Sequence, residues 1–378
     1  MSDRHIVIVC ALSLLVACGG DKPPAGSPLP ADGGPGADTR AADSTAPPSG
    51  DTLAFSDMAP MPDTQPAADG SPPPAADAQP AADASPAADA TPAADSGGTP
   101  ASKGCNGQVP ATRDYTLTIT HGGIARTALV HLPPSYDGKK PMPMVFNNHG
   151  NLHSAPLQAD MSQLDARADT RGVITVAPQG TGGLFSGWNV GKSPIGQLYT
   201  NVDDVGFFGA LIDEMQRTRC IDSKRVYCTG FSLGGSMCYR LACDLADRIT
   251  AFASVSGPDG TQSCAPARRV PLLHIHGTAD NFAGYNSDGN LNKGVLGYVP
   301  EHAKRVGCSA SKSVSLTKGA VVCYQFGGCP AGVEVGHCDV NGFGHSWPGG
   351  KGWLLSGPVN QDIDASSMIL DFFLKYSL

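Results

Sequence analysis

The sequence predicts an α/β domain over residues 104–378, a mostly parallel sheet covered by helices, preceded by a long disordered linker. Three observations predict it. In the last three quarters of the chain, short β-branched and aromatic runs alternate with longer stretches whose apolar residues fall at helical spacing, the pattern of strands joined by crossover helices. Residues 19–103 hold one aromatic, Phe55, and are dominated by Pro, Ala, Asp, Gly and Ser, so they cannot bury enough apolar surface to offset the entropy of ordering. The 275 residues after position 103 suffice for one domain with a substantial core.

The first eighteen residues read as a targeting signal. A polar start with Arg4 leads into an apolar run, Ile6 to Ala17, too short to span a bilayer as a helix. Leu15, Val16, Ala17 and Cys18 resemble a bacterial lipobox, which implies cleavage before Cys18 and lipidation of that residue. The alternative is an ordinary secretory signal with an incidental cysteine. Lipidation implies an exported protein held to the outer membrane or cell surface, where Gly19 after the cysteine favours the outer membrane; the membrane is then reached through the anchor alone. In residues 19–103, Pro-Ala-Ala-Asp recurs at Pro66, Pro74, Pro80, Pro86 and Pro92, but no apolar face recurs with it, so the segment reads as a semi-extended tether. Twelve aspartates against three basic residues give the linker a charge of −9, leaving +1 for residues 104–378. A nearly neutral domain offers no surface for nucleic acid. Ten of the 12 cysteines lie in the domain without Cys-x-x-Cys or zinc-ligand spacing, which in an exported chain points to disulfides and no metal.

Strands are expected at 142–150, 172–179, 225–230, 249–257 and 270–277, a further one at 332–340, and helices at 202–218, 233–247 and 364–376. Asp203 and Asp204 stand at a helix start, where negative charge stabilises the helix dipole. Between the strand "RVYCTG" and the helix "LGGSMCYRLACDLAD" lies Gly-x-Ser-x-Gly centred on Ser232. In a chain with 47 glycines that match alone is weak. In a strand, turn and helix setting it describes a nucleophile elbow, whose strained serine needs neighbours without side chains; the dull alternative is a helix-capping serine. Asp280 follows the strand "VPLLHIHG" as the candidate acid, with Asp259 as its competitor, and His345 lies among glycines in "VNGFGHSWPGG" as the base, competing with His302 and His337. Ser232, Asp280 and His345 fall in the chain order of α/β-hydrolases. The backbone N–H of Leu233 and one from Asn151 or Leu152 are the candidate oxyanion donors. Trp188 and Trp347 are candidates for lining the substrate cleft, with core packing the alternative. His274 and His276 lack further ligands at metal spacing and read as buried, hydrogen-bonded histidines.

Five stretches, His149-Gly150, "DDVGF" from Asp203, "RVYCTGFSLGG" from Arg225, "HIHGTAD" from His274 and "GFGHSWPGG" from Gly342, resemble the exported family of α/β-hydrolases that includes polyhydroxybutyrate depolymerases, feruloyl esterases and acetylxylan esterases. The resemblance runs over roughly residues 105–376. It implies a cofactor-independent serine carboxylesterase, a monomer, acting through an acyl-enzyme on feruloyl or acetyl esters of polysaccharide or on a polyester. It also implies the disulfides Cys105–Cys220 and Cys308–Cys329. Leu233 and the segment "NFAGY" after Asp280 depart from the family pattern at the substrate pocket. Two rival readings share the scaffold: a serine peptidase or lipase, and a catalytically silent envelope lipoprotein that binds glycans.

Overall fold

The computed structural model describes residues 102–183, 186–191, 196–261, 263–286 and 293–378. The expected signal, the lipidation residue Cys18 and the linker up to residue 101 lie outside the described residues. In chain order the domain runs β1 (Asp114–His121), β2 (Ile124–His131), β3 (Met142–Asn148), α1 (Ala155–Ser162), α2 (Leu164–Asp169) and β4 (Ile174–Pro178). It continues with α3 (Asp204–Thr218), β5 (Ile221–Phe231), α4 (Leu233–Asp244), β6 (Ala251–Val255), β7 (Leu272–Gly277) and α5 (Val295–Arg305). β8 (Lys312–Lys318), β9 (Val321–Phe326), β10 (Val335–Val340) and α6 (Ala365–Phe373) complete it.

All ten strands join one sheet in the order β1-β2-β4-β3-β5-β6-β7-β10-β9-β8. The six from β4 to β10 in that order run parallel, while β1, β2, β9 and β8 pair antiparallel at the two margins. Parallel strands need both faces covered, and β3 is buried at every position. Its side chains split by strand period: Met144 and Phe146 enter one apolar cluster with Phe207, Phe208, Leu211 and Met237 from α3 and α4. Val145 enters another with Leu164 of α2 and Ile369, Leu370 and Phe373 of α6. Helices thus cover both faces, as the α/β-hydrolase fold requires. Phe146 meets Phe208 edge to face, with ring centroids 5.0 Å apart, a geometry that adds to simple area burial.

β1, β2, α1, α2, β8 and β9 are not among the elements that the sequence predicts. β1 and β2 form a hairpin closed by Gly122 and Gly123, both at positive φ (56° and 78°), and β1 alternates between exposed and half-buried residues. Its period of two and the Gly-Gly turn were visible signals. α1 and α2 are short, eight and six residues, and α1 carries little amphipathic signal. Every residue of β8 is exposed, Val314 and Leu316 on its one apolar face included, so burial does not hold it and it forms by pairing with β9.

Five disulfides tie these elements. Cys105–Cys220 joins the segment before β1 to the start of β5, and Cys308–Cys329 closes the loop that holds β8 and β9. Cys243–Cys264 links the end of α4 to the loop after β6, and Cys323–Cys338 bridges directly opposed positions of β9 and β10. Cys228–Cys238 spans from β5 to α4 around the turn between them. Such a set suits an oxidising compartment.

Candidate active site

β5 ends in the middle of the sheet, and the next residue, Ser232, takes φ 54° and ψ −123°. That region is forbidden to most residues and costs on the order of 1–3 kcal/mol, so surrounding contacts must hold it. The Ser232 N–H donates to the Val255 carbonyl of β6 at 2.8 Å. The flanking glycines let the chain turn in so little room: a Cβ on Gly230 would strike the Gly234 carbonyl, and one on Gly234 would strike the Asn148 carbonyl. The serine hydroxyl makes no capping hydrogen bond to α4, so the helix-cap reading does not describe it.

The loop after β3 runs against this turn. A Cβ on Gly150 would lie 3.2 Å from Ser232 Cβ and from the Phe231 ring. His149 pins the loop by accepting from the Gly180 N–H at 2.9 Å through Nε2, while its Nδ1 lies 2.8 Å from the Gly150 carbonyl. Burial holds the His149 imidazole neutral, its pKa lowered to about 4. Leu233 is the first residue of α4, and the first intrahelical bond there runs from the Ser236 N–H to the Ser232 carbonyl at 3.0 Å, so the Leu233 N–H has no helical acceptor. The other nominated donors differ. The Leu152 N–H donates to the Ser186 carbonyl at 3.0 Å, so of the two loop amides Asn151 is the candidate oxyanion donor.

Asp280 sits three residues past β7 in a turn that its own carboxylate organises: Oδ1 accepts from the N–H groups of Phe282 and Ala283, both at 2.9 Å. Oδ2 lies 2.7 Å from His345 Nδ1 and 3.1 Å from His276 Nε2. Burial alone would raise the carboxyl's pKa, but the hydrogen bonds from His276 and His345 and the charges of both rings outweigh it and hold Asp280 well below the usual carboxylate range. An ionised acceptor requires the proton of His345 on Nδ1, leaving Nε2 as a base. The His345 ring is 4.6 Å from that of Phe231, the residue before Ser232, and 5.5 Å from that of Phe282.

The competing residues are engaged elsewhere. Asp259 accepts from the Arg305 guanidinium at 3.2 Å and from the Thr261 N–H at 2.8 Å. His302 lies buried in α5 against the Val270 carbonyl at 3.3 Å, and His337 is enclosed within β10. Asp203 caps α3 through the Gly206 N–H at 2.9 Å, and Asp204 pairs with Arg126 at 2.8 Å. Both nominated tryptophans are core residues with no exposed surface. Trp188 donates to the His149 carbonyl at 2.8 Å and Trp347 to Ser366 Oγ at 3.1 Å, since burial obliges an indole N–H to find an acceptor. The tryptophan beside the site is Trp353, half-buried, with its ring 4.4 Å from that of His153, which in turn stacks on Phe231 at 5.7 Å. Burial, and then the neighbouring charge of His345, lower the His153 pKa to about 4. Trp353, eight residues beyond His345, and His153 were missed because no local pattern shows which loop rings turn toward the site. Among the described residues, no three or more His, Cys, Asp and Glu side chains form a group able to hold a metal ion.

A carboxylate, an imidazole and a serine on a strained elbow, with helix-start amides beside them, can perform acyl transfer. The chain is similar to several known proteins. The profile of the dienelactone hydrolase family matches residues 197–304, a stretch that includes Ser232 and Asp280. Feruloyl esterase B of Piromyces equi is 35% identical over 246 residues, 60% of this chain and 44% of that protein. A bifunctional acetylxylan esterase/xylanase of Neocallimastix patriciarum is 28% identical over 232 residues, 58% of this chain and 32% of that protein. The chain therefore spans less than half the length of these two relatives. Among solved structures, an acetyl xylan esterase from Aspergillus awamori aligns with a TM-score of 0.48 and 12% identity, over 61% of this chain and 94% of that one.

Proposed function

We propose that the protein is a serine carboxylesterase acting on esters carried by extracellular polysaccharide. In this reading His345 Nε2 takes the proton of Ser232 Oγ as the oxygen attacks the ester carbonyl. The backbone N–H groups of Leu233 and Asn151 receive the oxyanion of the tetrahedral intermediate. His345 then gives the proton to the leaving alcohol, and water repeats the sequence on the acyl-enzyme. Asp280 holds the imidazole in the required tautomer and stabilises its charged form. The observation that carries the reading is the 2.7 Å Asp280–His345 hydrogen bond beside a serine at φ 54°.

The mouth of the site favours an aromatic or otherwise apolar acyl group. Phe282, beside His345, is 64% exposed, Leu152 of the β3 loop is 56% exposed, and Leu354, next to Trp353, is 84% exposed. Of these, Phe282 stands against the base, its ring 5.5 Å from that of His345, where an apolar acyl group would meet it. Feruloyl esters suit it better than acetyl esters, and polyester is the alternative substrate with the same apolar character. We further propose that the chain is exported and lipidated at Cys18. Residues 19–103 would then act as a tether with a root-mean-square reach of roughly 50 Å, and the five disulfides support export.

The test is turnover by the full chain of methyl ferulate, acetylated xylan, 4-nitrophenyl acetate and polyhydroxybutyrate film. Ser232→Ala should abolish hydrolysis of every accepted ester with the fold intact, and Cys18→Ser should move activity from the membrane fraction to a soluble one. Turnover that survives Ser232→Ala, or a fluorophosphonate that labels another residue, would refute the nucleophile.

A further inference from the structure

Asp280 has two imidazole partners, and the mechanism above uses one. Behind the carboxylate lies a row of buried groups that the acyl-transfer chemistry does not require. His276 and His274 point to the same side of β7, with His276 Nδ1 3.0 Å from His274 Nε2. Tyr239 of α4 places its hydroxyl 3.3 Å from His274 Nδ1. The Tyr298 hydroxyl of α5 lies beside the junction of the two rings, 3.2 Å from His274 Nε2 and 3.4 Å from His276 Nδ1. All four side chains are buried.

The proton positions along this row follow from its end. His276 Nε2 faces only acceptors, the Ala283 carbonyl at 2.8 Å and Asp280 Oδ2 at 3.1 Å, so it carries the proton. In a neutral ring Nδ1 is then an acceptor, which requires the His274 proton on Nε2. His274 Nδ1 accepts in turn, and its donor is the Tyr239 hydroxyl. Every donor points the same way, toward the carboxylate. A second proton on His276 Nδ1 would face the His274 Nε2–H, and burial together with the neighbouring rings keeps His274 neutral.

We propose that His276, backed by His274, Tyr239 and Tyr298, is a positioning residue that fixes the Asp280 carboxylate toward His345 and draws part of its negative charge away from the base. The inference rests on the reading of Asp280 and His345 as acid and base. Other titratable groups face the row as well: His337 of β10, with its ring 5.9 Å from that of His274, and Asp339, opposite His276 in the β7–β10 register. Asp339 accepts from the Tyr285 hydroxyl at 2.6 Å, and the Tyr285 ring stands 6.2 Å from that of His276. His302 of α5 bears on His274 from the same side as Tyr298.

Without the His276 donor the carboxylate places more of its charge on His345, so His345 holds its proton to higher pH. The test compares pH profiles of kcat and KM for 4-nitrophenyl acetate in the full chain, for the wild type, His276→Leu, His276→Gln and Tyr239→Phe. His276→Leu should lose about tenfold in kcat, the lower end of what outer partners of functional groups cost elsewhere, with little change in KM. Its acidic limb should rise by about one pH unit. His276→Gln, whose amide N–H reaches the place of Nε2–H, should restore both. Tyr239→Phe touches neither Asp280 nor His345 and should move the limb the same way by less. A folded His276→Leu with the wild-type limb overturns the proposal, and so does a Gln variant no better than Leu. Should His276→Leu fail to fold, His276→Asn, too short to reach the carboxylate, replaces it: a limb shifted in Asn and restored in Gln supports the proposal, and equal profiles overturn it. Turnover independent of Ser232 would instead strike the proposed function itself.

Discussion

Asp280 accepts on both carboxylate oxygens, from two backbone amides on Oδ1 and two imidazoles on Oδ2. Asparagine at 280 keeps the volume but offers His345 an amide, which favours the wrong imidazole tautomer. Turnover should fall by about 10⁴, as for other triad aspartates, while substrate affinity changes little. Asp259→Asn weakens the contact to Arg305 and should leave kcat within about threefold, since the Asp259 carboxylate bonds Arg305 and Thr261 rather than His345. Parallel kcat measurements on 4-nitrophenyl acetate separate the two, and a larger loss from the Asp259 change would reverse the assignment. From sequence, Asp280 was the better candidate because it follows the strand of the "HIHGTAD" motif. Its second imidazole partner was not legible: His276 is four residues away, and only the turn built by Oδ1 brings its Nε2 back onto the carboxylate.

The elbow is an element in which strand, turn and helix depend on one another. Gly234, the second residue of α4, packs under the Asn148 and His149 carbonyls, and the Cys228–Cys238 disulfide clamps strand to helix on either side of Ser232. Gly234→Ala forces the helix start away from the β3 loop, carrying the serine and the Leu233 N–H with it. Displacements of about 1 Å at a reacting centre cost on the order of 10²-fold in rate, so turnover should drop by about that factor. Titration with a fluorophosphonate should show slowed labelling of Ser232 in a protein that still melts cooperatively. Wild-type labelling would mean that the glycine serves no steric purpose. The elbow was readable because a local motif encodes it. β8 was not, since all of its residues face solvent and pairing with β9 alone defines it.

Across the molecule, buried histidines set the response to acid. His149, His153, His274, His302 and His337 all have lowered pKa values, chiefly through burial; for the first two they fall to about 4 and for His302 to about 3. The unfolded chain protonates these rings near pH 6.5 while the folded one does not, so between about pH 6.5 and 4 the unfolded state binds more protons and stability falls as pH falls. Each such histidine contributes up to about 1.4 kcal/mol per pH unit in that window. His131 opposes the trend: burial would lower its pKa, but hydrogen bonds to Asp169 and Asp114 raise it, so its contribution is present at low pH and lost as pH rises. Asp280, with its carboxyl held low, contributes fully above about pH 4 and loses that contribution only further down. Calorimetry of the full chain should therefore show Tm falling steadily from pH 7 to 4.5. A flat Tm over that range would mean that these rings ionise in place or open to water.

Composition and order in the sequence determined much of this protein. Alternating apolar periods dictated an α/β sheet and glycines around Ser232 encoded a turn, because each of these properties is local or additive along the chain; residues 19–103, rich in proline and aspartate with a single aromatic, stand apart in composition. The tertiary structure decided which side chains meet. It put His345 on Asp280 across 65 residues and gave the Leu152 N–H to Ser186. It also sealed Trp188 and Trp347 in the core while leaving Trp353 beside the site. Such choices depend on how loops at the carboxyl ends of six parallel strands converge, and a hydrogen bond or a buried ring is a property of two distant segments together, invisible in either one alone.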